Sequence, residues 1–180
     1  MNPNREASHM SELTDFRVAK DEYFGGDHHS PLTAEQQQGF DGLHYFEENE
    51  ALALVVAPEE LDDGEVVEVQ TSTGDVARYT RWARISFDVD GERASLTLFK
   101  DAEEDDSELF LPFADGTSGK ETFGAGRYLE VRQLHDGSLL VDFNYAYNPY
   151  CAYNEGWSCP LTPFENRIAP AIRAGETNFK

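Results

Sequence analysis

The sequence predicts an all-β domain, mainly an antiparallel barrel or sandwich, with short N-terminal and C-terminal helices. About eight short segments carry β-branched, aromatic or alternating apolar residues, and many short strands joined by tight turns are typical of barrels and sandwiches. No helical segment separates successive strands, which argues against the parallel sheets of α/β proteins. A closed barrel would also remove the exposed edges of so many strands.

The charge of the chain restricts its possible partners. The 180 residues include 35 Asp and Glu against 14 Lys and Arg, which gives a formal net charge of −21. We expect no nucleic acid or membrane partner, because an acidic surface repels both. The acidic residues are spread along the whole chain and lysine is scarce, which favours adaptation to a salt-rich cytoplasm over a single acidic surface for a basic partner.

The ends of the chain suggest its boundaries and its location. Residues 1–10, MNPNREASHM, resemble an expression tag, so we expect a single β-rich domain over residues 11–180. No apolar stretch approaches the roughly 20 residues of a membrane-spanning helix, and we expect no secretion signal before the domain. We therefore expect a cytoplasmic protein, in which cysteines usually stay reduced.

Two helices are predicted before the strands. Ser11 can cap a first helix that ends at Gly25-Gly26. The apolar residues of this helix recur every three or four positions, as expected for a helix that lies over a sheet: Leu13, Phe16, Ala19 and Tyr23. Thr33 and Gln36 form a capping box for a single helical turn, which Gly39 closes.

The strands are predicted from periodicity. The clearest one is Ala83–Val89, in which apolar and polar residues alternate. Asp90-Gly91 then supplies a two-residue turn into a second alternating strand at residues 94–98. The other predicted strands are Leu43–Phe46, Leu52–Val56, Glu65–Thr71, Glu108–Phe113, Arg127–Leu134 and Leu139–Tyr147.

The last two strands are predicted to form a hairpin. Asp136-Gly137 can adopt the positive φ values that a two-residue turn requires. Counting back from this turn places Val131 opposite Asp142 and Arg127 opposite Ala146. The register determines which side chains share a face, because successive residues of a strand point to opposite sides.

The faces of this hairpin allow two interpretations. In the first, Arg127, Asp142 and Asn144 lie among aliphatic residues on one face and form the wall of a ligand cavity, since a buried charge needs a partner or a ligand. In the second, this face is solvated and the face with Phe143 and Tyr145 is the core. The alternation alone fits both.

Two stretches have the composition of a cofactor site without the spacing of one. Asp27, His28 and His29 offer metal ligands, but adjacent side chains rarely reach one ion together, so we favour an exposed polar loop and predict no metal. The Gly-rich stretch 116–126 is not a phosphate-binding loop, because Glu rather than Ser or Thr follows its Lys. We interpret it as a mobile loop at the mouth of the barrel, from which three residues could reach a ligand: Asp115, Thr117 and Lys120.

The stretch after the hairpin contains both cysteines. Asn148-Pro149 ends the strand, because proline cannot donate to a β-ladder, and this places Cys151 on a turn. A nucleophilic cysteine needs a base, and a structural zinc needs four N or S ligands. Neither is evident near Cys151, so we expect that Cys151 and Cys159 are small buried apolar residues or a disulfide across the loop. The alternative is a thiol- or metal-dependent enzyme centred on Cys151.

A short helix is predicted near the C-terminus. The quartet Thr162-Pro163-Phe164-Glu165 has the pattern of a capping box with proline at the first helical position. Pro170 should interrupt this helix and Gly175 should end it.

Several short motifs in a fixed order resemble a known family. The chain contains LFLPF, TSGKETFG and GRYLE, followed by DFN, AYNP, CAYN, CP, EN and AGE. In this respect it is similar to the prokaryotic domain-of-unknown-function family sixteen-eighty-four, from about Asp15 to Glu176. The resemblance implies that the motif residues form a site, and it implies no activity or substrate. Tyr145 stands where the family usually has Arg, so a role of that arginine does not transfer to this chain.

Together these patterns predict a module that binds a small polar ligand at the barrel end closed by the 114–126 and 148–160 loops. The sequence identifies no cofactor and no oligomeric state. The predicted ligand-binding residues outside the Gly-rich loop are Arg127, Asp142, Asn144, Tyr147, Asn148, Cys151, Asn154, Glu165 and Asn166.

We predict that the melting temperature rises as KCl increases from about 0.1 to about 3 M, because screening weakens repulsion among the uncompensated negative charges. Scanning calorimetry across this series measures the effect. A flat or falling curve would mean that the acidic residues are paired locally, and it would contradict the halophilic interpretation.

Overall fold

A computed structural model describes residues 3–62, 64–104 and 108–179 of the chain, with side chains from residue 12 onward. Residues 1–44 form one compact unit and residues 45–180 form a second one. Within the described residues, the first unit contains both α-helices and the second contains all the strands. The predicted fold class is confirmed: the strands are mostly antiparallel, and their sheet curls into a half-barrel.

The first helix, α1 (Pro3–Gly26), is longer than predicted. It begins at Pro3 rather than at Ser11, because proline is favoured in a first helical turn and no glycine or proline interrupts the residues that follow. Its apolar face was also predicted wrongly. Leu13 is the one buried member of the four predicted face residues, while Phe24, which is outside that set, is buried with its ring 6.4 Å from the ring of Phe40.

The second helix, α2 (Ala34–Gln38), confirms the predicted capping box. The amide of Gln36 donates to the Thr33 hydroxyl (3.2 Å), and the amide of Thr33 donates to the Gln36 side-chain oxygen (2.8 Å). Gly39 closes the turn, as expected. In the part of the chain that is described, no helix is both long and apolar enough to cross a membrane.

The second unit contains an eight-stranded sheet in the order β1-β8-β7-β6-β5-β4-β2, and β3 also pairs with β4. Neighbouring strands are antiparallel. The predicted strand Leu43–Phe46 is wrong, because Tyr45 makes only an isolated bridge with Glu176. The strands are β1 (Ala53–Val56), β2 (Glu59–Glu60), β3 (Val66–Gln70), β4 (Val76–Val89), β5 (Glu92–Asp101), β6 (Leu109–Phe113), β7 (Arg127–Gln133) and β8 (Leu139–Asp142).

The longest hairpin, β4–β5, has the predicted turn. Asp90 and Gly91 have φ values of 50° and 83°, which match the positive angles that a two-residue hairpin turn needs. The register shifts at Trp82, which has no partner between the pairs Arg81–Phe99 and Ala83–Leu98. Such a bulge bends the strand, and the N-terminal part of β4 pairs with β3 while its C-terminal part pairs with β2.

Alternate residues of β4 to β8 face one apolar core. The ring of Phe143 lies 5.5 Å from that of Phe87 and 5.2 Å from that of Phe113, between centroids. The opposite face of the sheet carries a row of aromatic rings at centroid distances of 4.8–6.3 Å: Tyr79, Phe99, Phe110, Tyr128 and Tyr147. The core-facing strand residues include Ile85, Leu96, Leu98, Leu111, Leu129, Val131, Leu139 and Val141.

The β7–β8 hairpin has a longer loop than predicted. The amide of Leu134 donates to the carbonyl of Ser138 (2.8 Å), so three residues form the loop, and Gly137 has the left-handed φ of 88° that such loops favour. The predicted register is therefore wrong by one residue: Arg132 pairs with Leu140, and Gln133 with Leu139.

This shift changes the faces of β8. Asp142 and Leu140 leave the face that was predicted for them, and Val141 takes the core position. The strand also ends at Asp142 rather than Tyr147, because the chain enters a 3-10 turn at Phe143–Tyr145. Phe143 is in the core, as in the second interpretation, but the other face is not solvated, since Asp142 is buried.

The predicted C-terminal helix is wrong. Only a 3-10 turn, Phe164–Asn166, is present, and no side chain caps it. The Thr162 hydroxyl donates instead to the carbonyl of Ala125 (2.9 Å). The main chain is held extended after the turn, because the amide of Ile168 donates to the carbonyl of Ala114 (2.8 Å).

We predict that Gly175→Ala lowers the free energy of unfolding by about 2 to 5 kcal/mol. Gly175 has a φ of 79°, and a Cβ there would lie 2.6 Å from the carbonyl oxygen of Ala146. Gly74→Ala is the matched control, because Gly74 has a φ of 90° but open space around it, and only the backbone strain of about 1 to 2 kcal/mol applies. Equal losses in urea denaturation would contradict the packing argument.

Candidate functional site

The guanidinium of Arg127, at the start of β7, forms hydrogen bonds with the main chain of residues 172–179. We call these residues the C-terminal segment. The Arg127 side chain is 0% exposed. Nη1 donates to the carbonyls of Ala174 (2.5 Å) and Glu176 (3.0 Å), and Nη2 donates to that of Ile172 (2.8 Å). These contacts satisfy main-chain carbonyls that belong to no strand or helix.

Asp115 completes the surroundings of Arg127. Its Oδ1 lies 3.6 Å from Nη2 of Arg127, and its Oδ2 accepts from the amide of Ile172 (2.6 Å). The Thr117 hydroxyl also donates to this carboxylate (3.0 Å). Burial lowers the pKa of Arg127, while the negative charges of Asp115 and Glu176 raise it, so the two carboxylates support the charged guanidinium.

Asn148 binds the same segment from the other predicted loop. Its amide donates to Oε2 of Glu176 (3.2 Å), and its side-chain nitrogen donates to the carbonyl of Thr177 (3.0 Å). The hydroxyl of Tyr153 also hydrogen bonds with the Glu176 carboxylate. Glu176 is thus a central residue that we did not predict, although the AGE motif contains it.

Asp142 and Asn144 form a separate group beside β1. The Asn144 side chain donates to the carbonyl of Asn49 (3.0 Å) and accepts from the amide of Asn49 (2.8 Å). Oδ1 of Asp142 accepts from the Asn144 amide (3.0 Å) and side chain (2.9 Å). Through these hydrogen bonds, the pair stabilises the position of Asn49 in the segment that leads into β1.

The side chain of Asn166 takes the place of main-chain hydrogen bonds between β5 and β6. Its side-chain oxygen accepts from the amide of Thr97 (2.8 Å), and its nitrogen donates to the carbonyls of Thr97 (2.8 Å) and Pro112 (2.7 Å). Pro112 has no N–H to donate across the ladder, so the amide side chain supplies it. The neighbouring Glu165 binds Arg81 and the Thr97 hydroxyl, both at 2.8 Å.

Three predicted residues lie apart from these groups. The Tyr147 hydroxyl hydrogen bonds with Glu130, and burial together with the Glu130 charge raises the pKa of Tyr147. Asn154 accepts from the amide of Gly156 (3.0 Å) in a local turn. Lys120 is exposed, and its carbonyl accepts from the side chain of Asn178 (2.8 Å). The structure therefore does not bring the predicted residues into one pocket, and their ligand role stays a prediction.

Cys151 and Cys159 form no disulfide with each other, and they lie close together in space. The amide of Cys151 donates to the sulfur of Cys159 (3.3 Å). Burial and the nearby Cys159 raise the pKa of the Cys151 thiol to about 11, which opposes thiolate formation at neutral pH. Cys151 is in no group of three or more metal-ligating side chains within the described ranges, where Asp27, His28 and His29 form the one such group. No feature of the described residues supports the enzyme alternative.

An open groove of about 550 Å³ lies between β3 and residues 161–167. Its walls carry two carboxylates, one guanidinium and one amide: Glu68, Glu165, Arg167 and Gln70. The ring of Phe164 lines the same groove, although its side chain is 90% exposed. A smaller cavity of about 380 Å³ lies beside β7 and is lined in part by Lys100, Glu130 and Arg132.

Comparison with known proteins places the chain in a family. A family model described as "Protein of unknown function (DUF1684)" matches residues 38–177. The chain belongs to the DUF1684 family. The predicted resemblance is thereby confirmed. No curated protein matches the chain.

A solved structure extends this likeness to nearly the whole chain. The solution NMR structure of an uncharacterised protein of Haloarcula marismortui shares 35% sequence identity with this DUF1684 protein, with a TM-score of 0.73. The match covers 98% of this chain and 97% of the other. In the DUF1684 chain described here, the motif residues Asn144, Asn166 and Glu176 all bind main-chain groups of distant segments.

We predict that Arg127→Ala lowers the free energy of unfolding by about 3 to 5 kcal/mol, because it leaves the buried carboxylate of Asp115 without its positive partner and three carbonyls without their donor. Arg132→Ala is the matched control on the same strand, where the side chain is exposed and the loss should be below about 0.5 kcal/mol. Chemical denaturation of both variants measures the difference. A loss below about 1 kcal/mol for Arg127→Ala would show that Arg127 does not hold the C-terminal segment.

Proposed function

We propose that this protein is a binding module that holds a small polar ligand in the groove between β3 and residues 161–167. The observation that supports the proposal is the combination of size and lining in this groove. Its volume of about 550 Å³ lies within the range of roughly 300 to 1,000 Å³ that is usual for small-molecule sites. Its walls combine apolar surface with a few charged groups, and they include the predicted site residue Glu165.

The lining favours a ligand with a positively charged amine and an apolar group. Glu68 offers a carboxylate to such an amine, whereas the carboxylate of Glu165 already pairs with Arg81 (2.8 Å) and Arg167 adds one positive charge. Phe164 offers an exposed ring that an apolar group can cover, and a cation can also lie over such a ring. In a salt-rich cytoplasm, which we also propose, screening over roughly 3 Å leaves direct contacts of this kind as the main source of selectivity.

The groove is a better candidate than the end of the sheet between the 114–126 and 148–160 loops. At that end, the donors of Arg127 and the carboxylate of Asp115 bind the C-terminal segment, and the carboxylate of Glu176, within that segment, accepts from the amide of Asn148. A ligand there would have to displace buried main chain. Ligand binding in the groove requires no such rearrangement.

The edge of β3 adds main-chain groups to the groove. β3 pairs with β4 on one side, and alternate residues of an edge strand direct their amides and carbonyls away from the sheet. The carbonyl of Gln70 already accepts from Leu161 (2.9 Å), which marks the direction of this edge. A polar ligand beside Glu68 would therefore meet main-chain donors and acceptors as well as side chains.

We predict that benzylamine, but not its uncharged analogue benzyl alcohol, shifts amide NMR signals of residues 67–70 and 161–167. Phe164→Ala and Glu68→Gln should each weaken binding about tenfold, which corresponds to about 1.4 kcal/mol. Both changes are at the surface and should alter the free energy of unfolding by less than about 0.5 kcal/mol.

Arg132→Ala, in the smaller cavity, is the control variant and should leave benzylamine binding unchanged. Shifts that cluster around Lys100 and Glu130 would assign binding to the smaller cavity. Equal responses to benzylamine and benzyl alcohol would contradict the role of the carboxylates.

A further inference from the structure

Cys151 and Cys159 are placed as a pair by two different parts of the fold. Cys151 belongs to the 3-10 turn Tyr150–Ala152, and Cys159 lies eight residues after Cys151, where the chain approaches the end of β3. The Cys151 amide donates to the Cys159 sulfur (3.3 Å), which places the Cys159 side chain against the main chain of Cys151. A disulfide then requires side-chain rotations that bring the two sulfurs to bond distance with the dihedral angle that a disulfide needs.

Access differs between the two sulfurs. Cys151 is half-buried and Cys159 is buried. The Tyr150 and Trp157 rings, 5.2 Å apart, lie in the same loop, and Trp157 is partly exposed. A small reagent therefore reaches Cys151 first, and Cys159 is positioned to react next.

We propose that Cys151 and Cys159 form a reversible intrachain disulfide with a small-molecule disulfide as the oxidant. The Cys151 thiolate attacks one sulfur of the reagent, whose S–S bond breaks and releases one thiolate. Cys159 then loses its proton and attacks the Cys151 sulfur, which displaces the second thiolate. The protein loses two electrons and two protons, and the reagent gains both as two thiols.

The bond would connect the turn at Cys151 to the segment that leads into the groove. The carbonyl of Cys159 accepts from the amide of Ser72 (2.9 Å), and the Cys159 amide donates to the Ser72 hydroxyl (3.1 Å). Two residues later, Leu161 bonds to Gln70 and begins one wall of the groove. Oxidation therefore ties the turn at Cys151 to the wall of the groove and makes that wall more rigid. This consequence for binding rests on the proposed function, whereas the disulfide itself does not.

Oxidised glutathione, added to the native protein, tests the proposal. Intact mass spectrometry should show the loss of two hydrogen atoms and no stable adduct, and dithiothreitol should restore the reduced mass. The rate should rise about tenfold per pH unit between about pH 7 and 9, because the pKa of Cys151 is about 11 and the thiolate is the attacking species. Cys159→Ser should instead accumulate a glutathione adduct on Cys151.

A thermal measurement gives a second readout. The oxidised protein should melt about 5 °C higher than the reduced protein, since the bond closes a short loop in the unfolded chain. The matched control, Cys151→Ser, should show no rise after the same treatment. Disulfide-linked dimers, a stable adduct on the unmodified protein, or oxidation only after unfolding would each overturn the proposal.

Benzylamine titration of both redox forms separates this proposal from the proposed function. A disulfide that forms as described, with a changed benzylamine affinity, supports both. A disulfide that forms while neither redox form binds benzylamine supports the thiol pair and contradicts the groove site. Benzylamine binding without disulfide formation contradicts the thiol pair and leaves the groove site supported.

Discussion

The structure of the sheet unit depends on one buried charge. Arg127 is fully buried, so its guanidinium must find acceptors inside the protein. The C-terminal segment has the complementary requirement, because its carbonyls are buried without strand or helix partners. The guanidinium of Arg127 donates to these carbonyls, so both groups gain a hydrogen-bond partner. The carboxylates of Asp115 and Glu176 balance the positive charge. Arg127 thus connects the 114–126 loop, through Asp115, to the end of the chain, and Glu176 connects the end of the chain to the 148–160 loop.

Asparagine side chains extend this principle to places where strands do not pair directly. A carboxamide carries one acceptor and two donors in nearly the geometry of a peptide group. Asn166 uses them between β5 and β6, where Pro112 lacks an N–H, and Asn144 uses them on both main-chain groups of Asn49. The side-chain nitrogen of Asn148 donates to the carbonyl of Thr177, but its oxygen has no hydrogen-bond partner among the described residues. These contacts explain why asparagine recurs in the motifs without requiring that each one bind a ligand.

The sequence predicted features that depend on neighbouring residues and missed those that depend on distant ones. The β4–β5 hairpin follows from local alternation and one dipeptide, and the Thr33 capping box follows from a four-residue pattern. The β7–β8 register failed because a loop of two residues and a loop of three differ by one hydrogen bond, from Leu134 to Ser138. The motif residues were recognised as unusual, but their partners lie up to 95 positions away, as for Asn144 and Asn49. The groove could not be predicted either, because its walls come from β3 and from a segment that the sequence assigned to a helix.

The contrast between the closed end and the groove bears on function. At the closed end, the donors of Arg127 and Asn148 bind the protein's own main chain, so folding accounts for these contacts, although Nε of Arg127 and Oδ1 of Asn148 have no hydrogen-bond partner among the described residues. Phe164 has no such explanation, since a ring that is 90% exposed gains little from folding. Covering that ring would contribute roughly 1.5 to 3 kcal/mol to the binding of a partner, and the carboxylate of Glu68 is part of the same lining. Recognition at this exposed surface, beside the outer edge of β3, requires the least change in the rest of the molecule.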